Sequence, residues 1–146
     1  MSSRPPFAEL VSVMAKLRAP DGCPWDREQT HQTLKPYLLE EAYEVLEAID
    51  DDRSSDLCSE LGDVLLQVVF HAQVASEDER FSIDDVCQAI VDKLIRRHPH
   101  VFGDTAVDGS DEVVTNWEAI KKAERQSAQE TDPSALDGVP RQLPAL

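Results

Sequence analysis

Leu39-Glu40-Glu41-Ala42-Tyr43-Glu44 and Ser59-Glu60-Leu61-Gly62-Asp63-Val64 are the two stretches from which the rest of the chain can be read. Each sets two carboxylates three residues apart, Glu41 with Glu44 and Glu60 with Asp63, inside an apolar run of helical period. At about 100° per residue, the members of each pair lie about 60° apart, to one side of the apolar stripe. The first acid stands at the edge of the stripe and the second lies farther round. Two such helices packed face to face bring four negative charges to one seam, where they repel unless a cation sits among them. Solvated helix surface is the competing reading, because a chain with 29 acidic residues forms some i,i+3 pairs by coincidence. Two features favour the metal. Gly62 is a poor helix-interior residue that permits close approach beside Asp63, and none of the four acids has a cation at i±4.

All-carboxylate sets suit Mg²⁺, with Mn²⁺ as the alternative, and a Mg²⁺ held this way shares its remaining positions between water and substrate phosphates. A ferritin-like centre needs Glu-x-x-His motifs, which neither pair supplies. His71 reads as a packed or surface histidine, and no EF-hand loop is present.

Outward from these stretches, the first run continues through Leu38, Leu39, Ala42, Val45, Leu46 and Ile49. Pro36 is placed for its first turn and Asp50-Asp51-Asp52 closes it. Ser54 or Ser55 caps the second run, which extends to about Ser76 through Leu57, Leu61, Val64, Leu65, Val68, Ala72 and Ala75. Upstream, Phe7, Leu10, Val11, Met14 and Leu17 define a short amphipathic helix, followed by Cys23-Pro24-Trp25-Asp26 as an ordered turn with Trp25 as a packing anchor. Downstream, Ser82 caps a helix through Val86, Ile90 and Leu94 that ends in Lys93, Arg96, Arg97 and His98 before Pro99. After a loop over His100 to Gly109, a fifth helix starts at Ser110 or Asp111 and runs through Val114, Trp117 and Ile120 to about Gln126. Nothing alternates as strands. The expectation is an all-α fold, an antiparallel bundle of about five helices over residues 1–126, with a polar tail over 127–146 read as loop or partly disordered.

A chain of 146 residues suffices for one core, and its 41% hydrophobic and 29% charged residues are ordinary for a soluble globule. The formal net charge of −15 argues against direct nucleic-acid binding by the chain as a whole, since backbone phosphates would be repelled. Cys23, Cys58 and Cys87 are odd in number and lack C-x-x-C spacing, so neither a disulfide framework nor a zinc site is indicated and a reducing cytoplasm fits. No stretch approaches the roughly 20 apolar residues of a membrane span.

Glu41-x-x-Glu44 followed by Glu60-x-x-Asp63, together with Gly22-Cys23-Pro24-Trp25-Asp26, Asp92-Lys93-Leu94 and Arg96-Arg97-His98-Pro99-His100-Val101-Phe102, resembles the MazG nucleoside triphosphate pyrophosphohydrolases. The likeness runs from about Phe7 to Leu146. It implies an all-α protein that assembles at least as a homodimer, with tetramers as the further alternative, and Mg²⁺ held by Glu41, Glu44, Glu60 and Asp63. It also implies hydrolysis of (deoxy)nucleoside triphosphates to a monophosphate and pyrophosphate, as in the clearing of damaged or surplus nucleotides. Matched position by position, Lys93 and Arg97 would contact the triphosphate and Trp117 and Lys121 the nucleotide, while Glu40 or Glu41 would take the proton of the attacking water. The chain looks most like the first copy of tandem family members. Tyr37 and Asp56 stand where some strongly catalytic copies carry lysines, and Ser134-Ala135-Leu136-Asp137-Gly138-Val139-Pro140 resembles a segment that leads into further sequence in longer members. The competing expectations are a nucleotide-binding or dimerisation module with little turnover and, more weakly, a helical interaction protein whose acids hold a structural metal or are plain surface.

Overall fold

Helices form where capping chemistry and apolar period coincide, and a computed structural model describes them over residues 3–128. Seven are present among these residues: α1 (Pro6–Leu17), α2 (Pro24–Glu28), α3 (His31–Asp50), α4 (Ser54–Glu77), α5 (Ile83–Arg97), α6 (Pro99–Phe102) and α7 (Ser110–Ala128). The all-α expectation holds, and the five long helices are the expected ones. Two single-turn helices are additional. α2 occupies the expected turn after Cys23, and α6 occupies the start of the expected loop at His100; in both, Pro at the first positions presets φ where a missing N–H costs nothing. The expected tail falls almost wholly at 129–146, outside the described residues.

α3 starts earlier than the sequence reading places it. Thr30 Oγ1 accepts from the Thr33 N–H at 3.2 Å while Thr33 Oγ1 accepts from the Thr30 N–H at 2.8 Å. This reciprocal cap begins the helix at His31 and leaves Pro36 inside it rather than in its first turn. α4 also differs, since Ser54 is its first residue and Arg53 the cap, with no side-chain capping bond. Arg53 instead pairs with Asp56 in that first turn at 2.8 Å. α5 begins as expected, with Ser82 Oγ accepting from the Asp85 N–H and the Asp85 carboxylate accepting from the Ser82 N–H.

The described residues divide between Ala89 and Ile90 into two compact units. The core of the first unit is Met14, Leu34, Val69, Phe70 and Val74, with Leu10, Val11, Leu17, Leu66 and Ile83 packed against it. Arg18 pins this core. Its guanidinium donates to Glu77 at 2.7 and 2.9 Å and to the carbonyls of Asp26 and Gln29 at 2.6 and 3.0 Å, and it lies 5.8 Å over the Phe70 ring. The side chain is only 8% exposed. Arg18→Ala is therefore expected to lower stability by about 3 kcal/mol, read as a fall in the urea midpoint at constant slope. Arg18→Lys should recover little, because a point charge cannot span four acceptors.

The apolar stripe of α3 is not where periodicity alone puts it. Leu38, Leu39, Leu46 and Ile49 are exposed, as are Leu61, Leu65 and Val68 of α4. The face that α3 turns inward carries Leu34, Val45 and Ala48, with Glu41 and Glu44 half-buried among them. Trp25 packs edge-on against Tyr37 with centroids 5.6 Å apart, yet remains 48% exposed, so it is a surface contact rather than a core anchor.

In the second unit, Arg96 and Arg97 both grip Glu124 of α7, at 2.6 and 2.8 Å, and Trp117 meets the His98 ring edge-on at 5.2 Å. Among the described residues no helix is long and apolar enough to cross a membrane.

Candidate metal centre

Only Asp51-Asp52-Arg53 joins α3 to α4, so the two helices pack antiparallel. Asp52 takes a left-handed φ of 53°, a conformation that aspartate tolerates better than most residues, and the Arg53 N–H bonds back to the Ala48 carbonyl at 3.3 Å. This tight reversal sets the register that brings Glu41 and Glu44 opposite Glu60 and Asp63. Each of the four offers one carboxylate oxygen, and these oxygens all lie within 4.8 Å of one another.

The electrostatics are those of a cluster that a cation would relieve. Burial, then the charges of Glu44 and Asp63, pushes the Glu41 carboxyl up to about 7. Burial and the proximity of Glu44 push Glu60 in the same direction. Glu41 Oε2 and Glu60 Oε2 are buried without a hydrogen-bond partner, and among the described residues none of the four acids forms an ion pair. Buried acceptors are ordinarily satisfied, and four carboxylates this close are ordinarily neutralised. A divalent cation does both at once, and the oxygen-only donor set fits a hard ion. Gly62 plays a smaller part than its position promised: a Cβ there would meet nothing within 4 Å, so among the described residues no neighbour requires glycine.

Of the other residues singled out from the sequence, Glu40 is exposed beside the cluster and adds to the upward push on Glu41. Tyr37 is taken up by Trp25 and Asp56 by Arg53. Lys93, Arg97, Trp117 and Lys121 belong to the second unit. There Lys93 is exposed and Lys121 pairs with Glu118 at 3.3 Å. Arg97 is held by Glu124, with its Nε buried and unpartnered, as is Trp117 Nε1. Glu124 was missed by the sequence reading. The two arginines draw its carboxyl down to about 2 by hydrogen bonds and charge, which makes it a fixed anion that orients Arg97. His31 was also missed: its ring lies nearly parallel to that of His71, with the Nδ1 atoms 2.8 Å apart in hydrogen-bond contact.

An all-α chain with four convergent carboxylates on two antiparallel helices carries a donor set that could hold a divalent cation. The family is set by comparison: the model of the MazG nucleotide pyrophosphohydrolase domain matches residues 29–102, about half the chain, and the chain belongs to that family. A nucleoside triphosphate pyrophosphohydrolase of Escherichia coli (strain K12) is 56% identical over 138 residues, covering 94% of this chain and 52% of that protein. The nucleoside triphosphate pyrophosphohydrolase/pyrophosphatase MazG of Thermotoga maritima is 57% identical over 119 residues, covering 82% of this chain and 45% of that protein. The chain thus spans about half the length of these curated relatives. The crystal structure of a mazG-related protein from Thermotoga maritima superposes with a TM-score of 0.66 at 28% identity, covering 79% of this chain and 98% of the other.

Proposed function

We propose that this domain, over residues 1–126, hydrolyses (deoxy)nucleoside triphosphates to the monophosphate and pyrophosphate with Mg²⁺, or Mn²⁺ in its place, in the service of nucleotide-pool housecleaning. The observation that carries this reading is the convergence of Glu41, Glu44, Glu60 and Asp63, two of them with orphaned oxygens. The relatives' printed activity supplies the reaction. When bound by these four residues, Mg²⁺ supplies positive charge for the phosphate oxygens and a water of lowered pKa. Glu40, exposed next to the cluster, is the first candidate to accept the water proton, with Glu41 the second. Lys93 and the Glu124-oriented guanidinium of Arg97 would offset charge on the leaving pyrophosphate, and Trp117 and Lys121 would approach the nucleotide.

The exposed leucines of α3 and α4 support a homodimer, since a monomer seldom leaves so large an apolar face in water. Three free cysteines agree with a cytoplasmic setting.

Pyrophosphate release, measured over a panel of ordinary and oxidised nucleotides with and without Mg²⁺, tests the reading. Metal-dependent release of pyrophosphate with equimolar monophosphate supports it. Nucleotide-dependent thermal stabilisation with no release over a long incubation would instead favour a binding module, the alternative raised by Tyr37 and Asp56 at positions where some strongly catalytic copies carry lysines. Arg97→Ala is expected to lower kcat/KM by roughly 10- to 100-fold, the loss of one charge-assisted contact, while metal affinity is unchanged.

A further inference from the structure

His98 stands in the second unit where α5 gives way to Pro99, and its ring is held there from three sides. The residue before a proline is pushed out of the helical region, and His98 takes φ −125° and ψ 57°. Its N–H bonds to the Ile95 carbonyl at 3.3 Å, so the Leu94 carbonyl, which a further helical turn would give to that N–H, loses its backbone donor. The His98 side chain folds back and takes it up, with Nδ1 2.6 Å from the Leu94 oxygen. A carbonyl only accepts, which places a ring proton on Nδ1. The ring is thereby tied to the end of its own helix.

Two further rings meet it. His100 lies with its centroid 5.5 Å away and its plane tilted by 50°, and Trp117 of α7 packs edge-on at 5.2 Å and 74°. Trp117 Nε1 is buried with no hydrogen-bond partner among the described residues, although an indole N–H is a donor that folded proteins ordinarily satisfy. An indole free to turn would carry that donor toward an acceptor or water; this one is kept where the donor stays unspent. The hold on Trp117 also has a counterpart. Trp117 and Glu124 lie seven residues apart, on one face of α7, while Arg97 and His98 are consecutive. Glu124 holds Arg97 at 2.8 Å and His98 holds Trp117, so each of the two residues with an unspent buried donor, Arg97 Nε and Trp117 Nε1, is gripped from the opposite segment.

We infer that His98 is a positioning residue: its ring, tethered to Leu94, fixes the indole of Trp117, so that the nucleotide meets a side chain already in place. The inference rests on the hydrolase reading for the role of Trp117, and it gives His98 itself no contact with substrate. Preorganisation of this kind acts on binding, because a side chain that is loose beforehand must be ordered as the ligand arrives, which weakens the complex. Loss of the His98 ring therefore raises KM and leaves kcat alone, the mark of an interaction made equally in the ground and transition states.

The test uses the full chain with two readouts. Acrylamide quenching of Trp117 fluorescence is measured without nucleotide in a Trp25→Phe background, which leaves Trp117 as the one tryptophan. Separately, KM and kcat are measured with Mg²⁺ for the four common ribonucleoside triphosphates. His98→Asn keeps a donor for the Leu94 carbonyl and removes the ring, whereas His98→Phe keeps a ring and removes the donor. In His98→Asn the quenching constant should rise about twofold and KM roughly tenfold, the upper scale of an edge-on ring pair, with kcat within about twofold of wild type. His98→Phe should lie between the two. On top of Trp117→Ala, His98→Asn should change KM by less than about twofold, since a residue that acts through the indole then has nothing to position. If His98→Asn does not fold, His98→Gln, also ring-free, takes its place. An unchanged quenching constant, an equal effect of His98→Asn with and without Trp117, or a loss confined to kcat overturns the inference. Absence of pyrophosphate release removes the hydrolase reading instead, and the same cycle is then read in the nucleotide-dependent melting shift: non-additive effects support positioning, and additive effects, or no shift at all, overturn it.

Discussion

Glu44→Ala and Asp63→Ala are each expected to reduce Mg²⁺-dependent pyrophosphate release about 1,000-fold without loss of the fold. The estimate follows from the several kcal/mol by which a divalent ion stabilises charge on a reacting phosphoryl group; about 4 kcal/mol corresponds to roughly three powers of ten. The second half of the expectation is the more discriminating. Deleting an acid from an ordinary surface ion pair destabilises a protein slightly, whereas deleting one from four mutually repelling carboxylates removes repulsion. In the presence of a chelator, both variants should therefore melt at or above the wild-type temperature, because Glu44 and Asp63 each push the half-buried Glu41 toward its neutral form. Glu47→Ala, an exposed acid on the same helix outside the cluster, should keep full activity. Wild-type turnover in either cluster variant, or a large fall in melting temperature in chelator, would remove the assignment. The first outcome would mean that the residue is not a ligand, and the second that it is held by a partner the geometry lacks.

The acid pairs were legible because helical period and i,i+3 spacing are local properties. So were the five long helices, whose Ser, Asp and Pro signals sit within four residues of their ends. What periodicity reports is that a face is apolar, and it is silent on what covers that face. On α3 it therefore assigned Leu38, Leu39, Leu46 and Ile49 to a buried stripe, with Glu41 and Glu44 toward the side, whereas in the single chain the leucines are exposed and the acids enter the seam. The start of α3 was misread because Pro36 is a strong signal and a Thr-x-x-Thr cap a weak one; the reciprocal bonds of Thr30 and Thr33 nevertheless set the boundary. Long-range partners left no trace at all. His31 finds His71 across 40 residues and Arg96 finds Glu124 across 28, and no spacing rule joins residues that distant.

The metal-free protein is expected to lose stability as pH rises from about 4.5 to about 7, and Mg²⁺ is expected to restore it above that range. The sign follows from Glu41. Its carboxyl titrates near the usual 4.5 in the unfolded chain and at about 7 in the fold. Between those values the native state holds a proton that the unfolded state has released, so the contribution is complete below 4.5 and is lost as pH rises through 7. Glu60 moves in the same direction. Glu77 and Glu124, lowered by Arg18 and by Arg97 with Arg96, act in a separate window, contributing above the usual carboxylate range and losing their effect only in stronger acid. His71 opposes the trend, since a depressed histidine costs stability as pH falls below 6.5, so the wild type must be compared with Glu41→Gln, in which His71 is unchanged. The difference between the two, measured by urea unfolding in chelator, isolates the cluster. Adding Mg²⁺ at a hundredfold excess over its dissociation constant should stabilise the wild type by about 2.7 kcal/mol at pH 8. That increment should shrink below pH 7, where protons compete with the ion for Glu41 and Glu60. A difference that stays flat from pH 4.5 to 8, with no Mg²⁺ response in either protein, would mean that the four carboxylates are solvated surface after all.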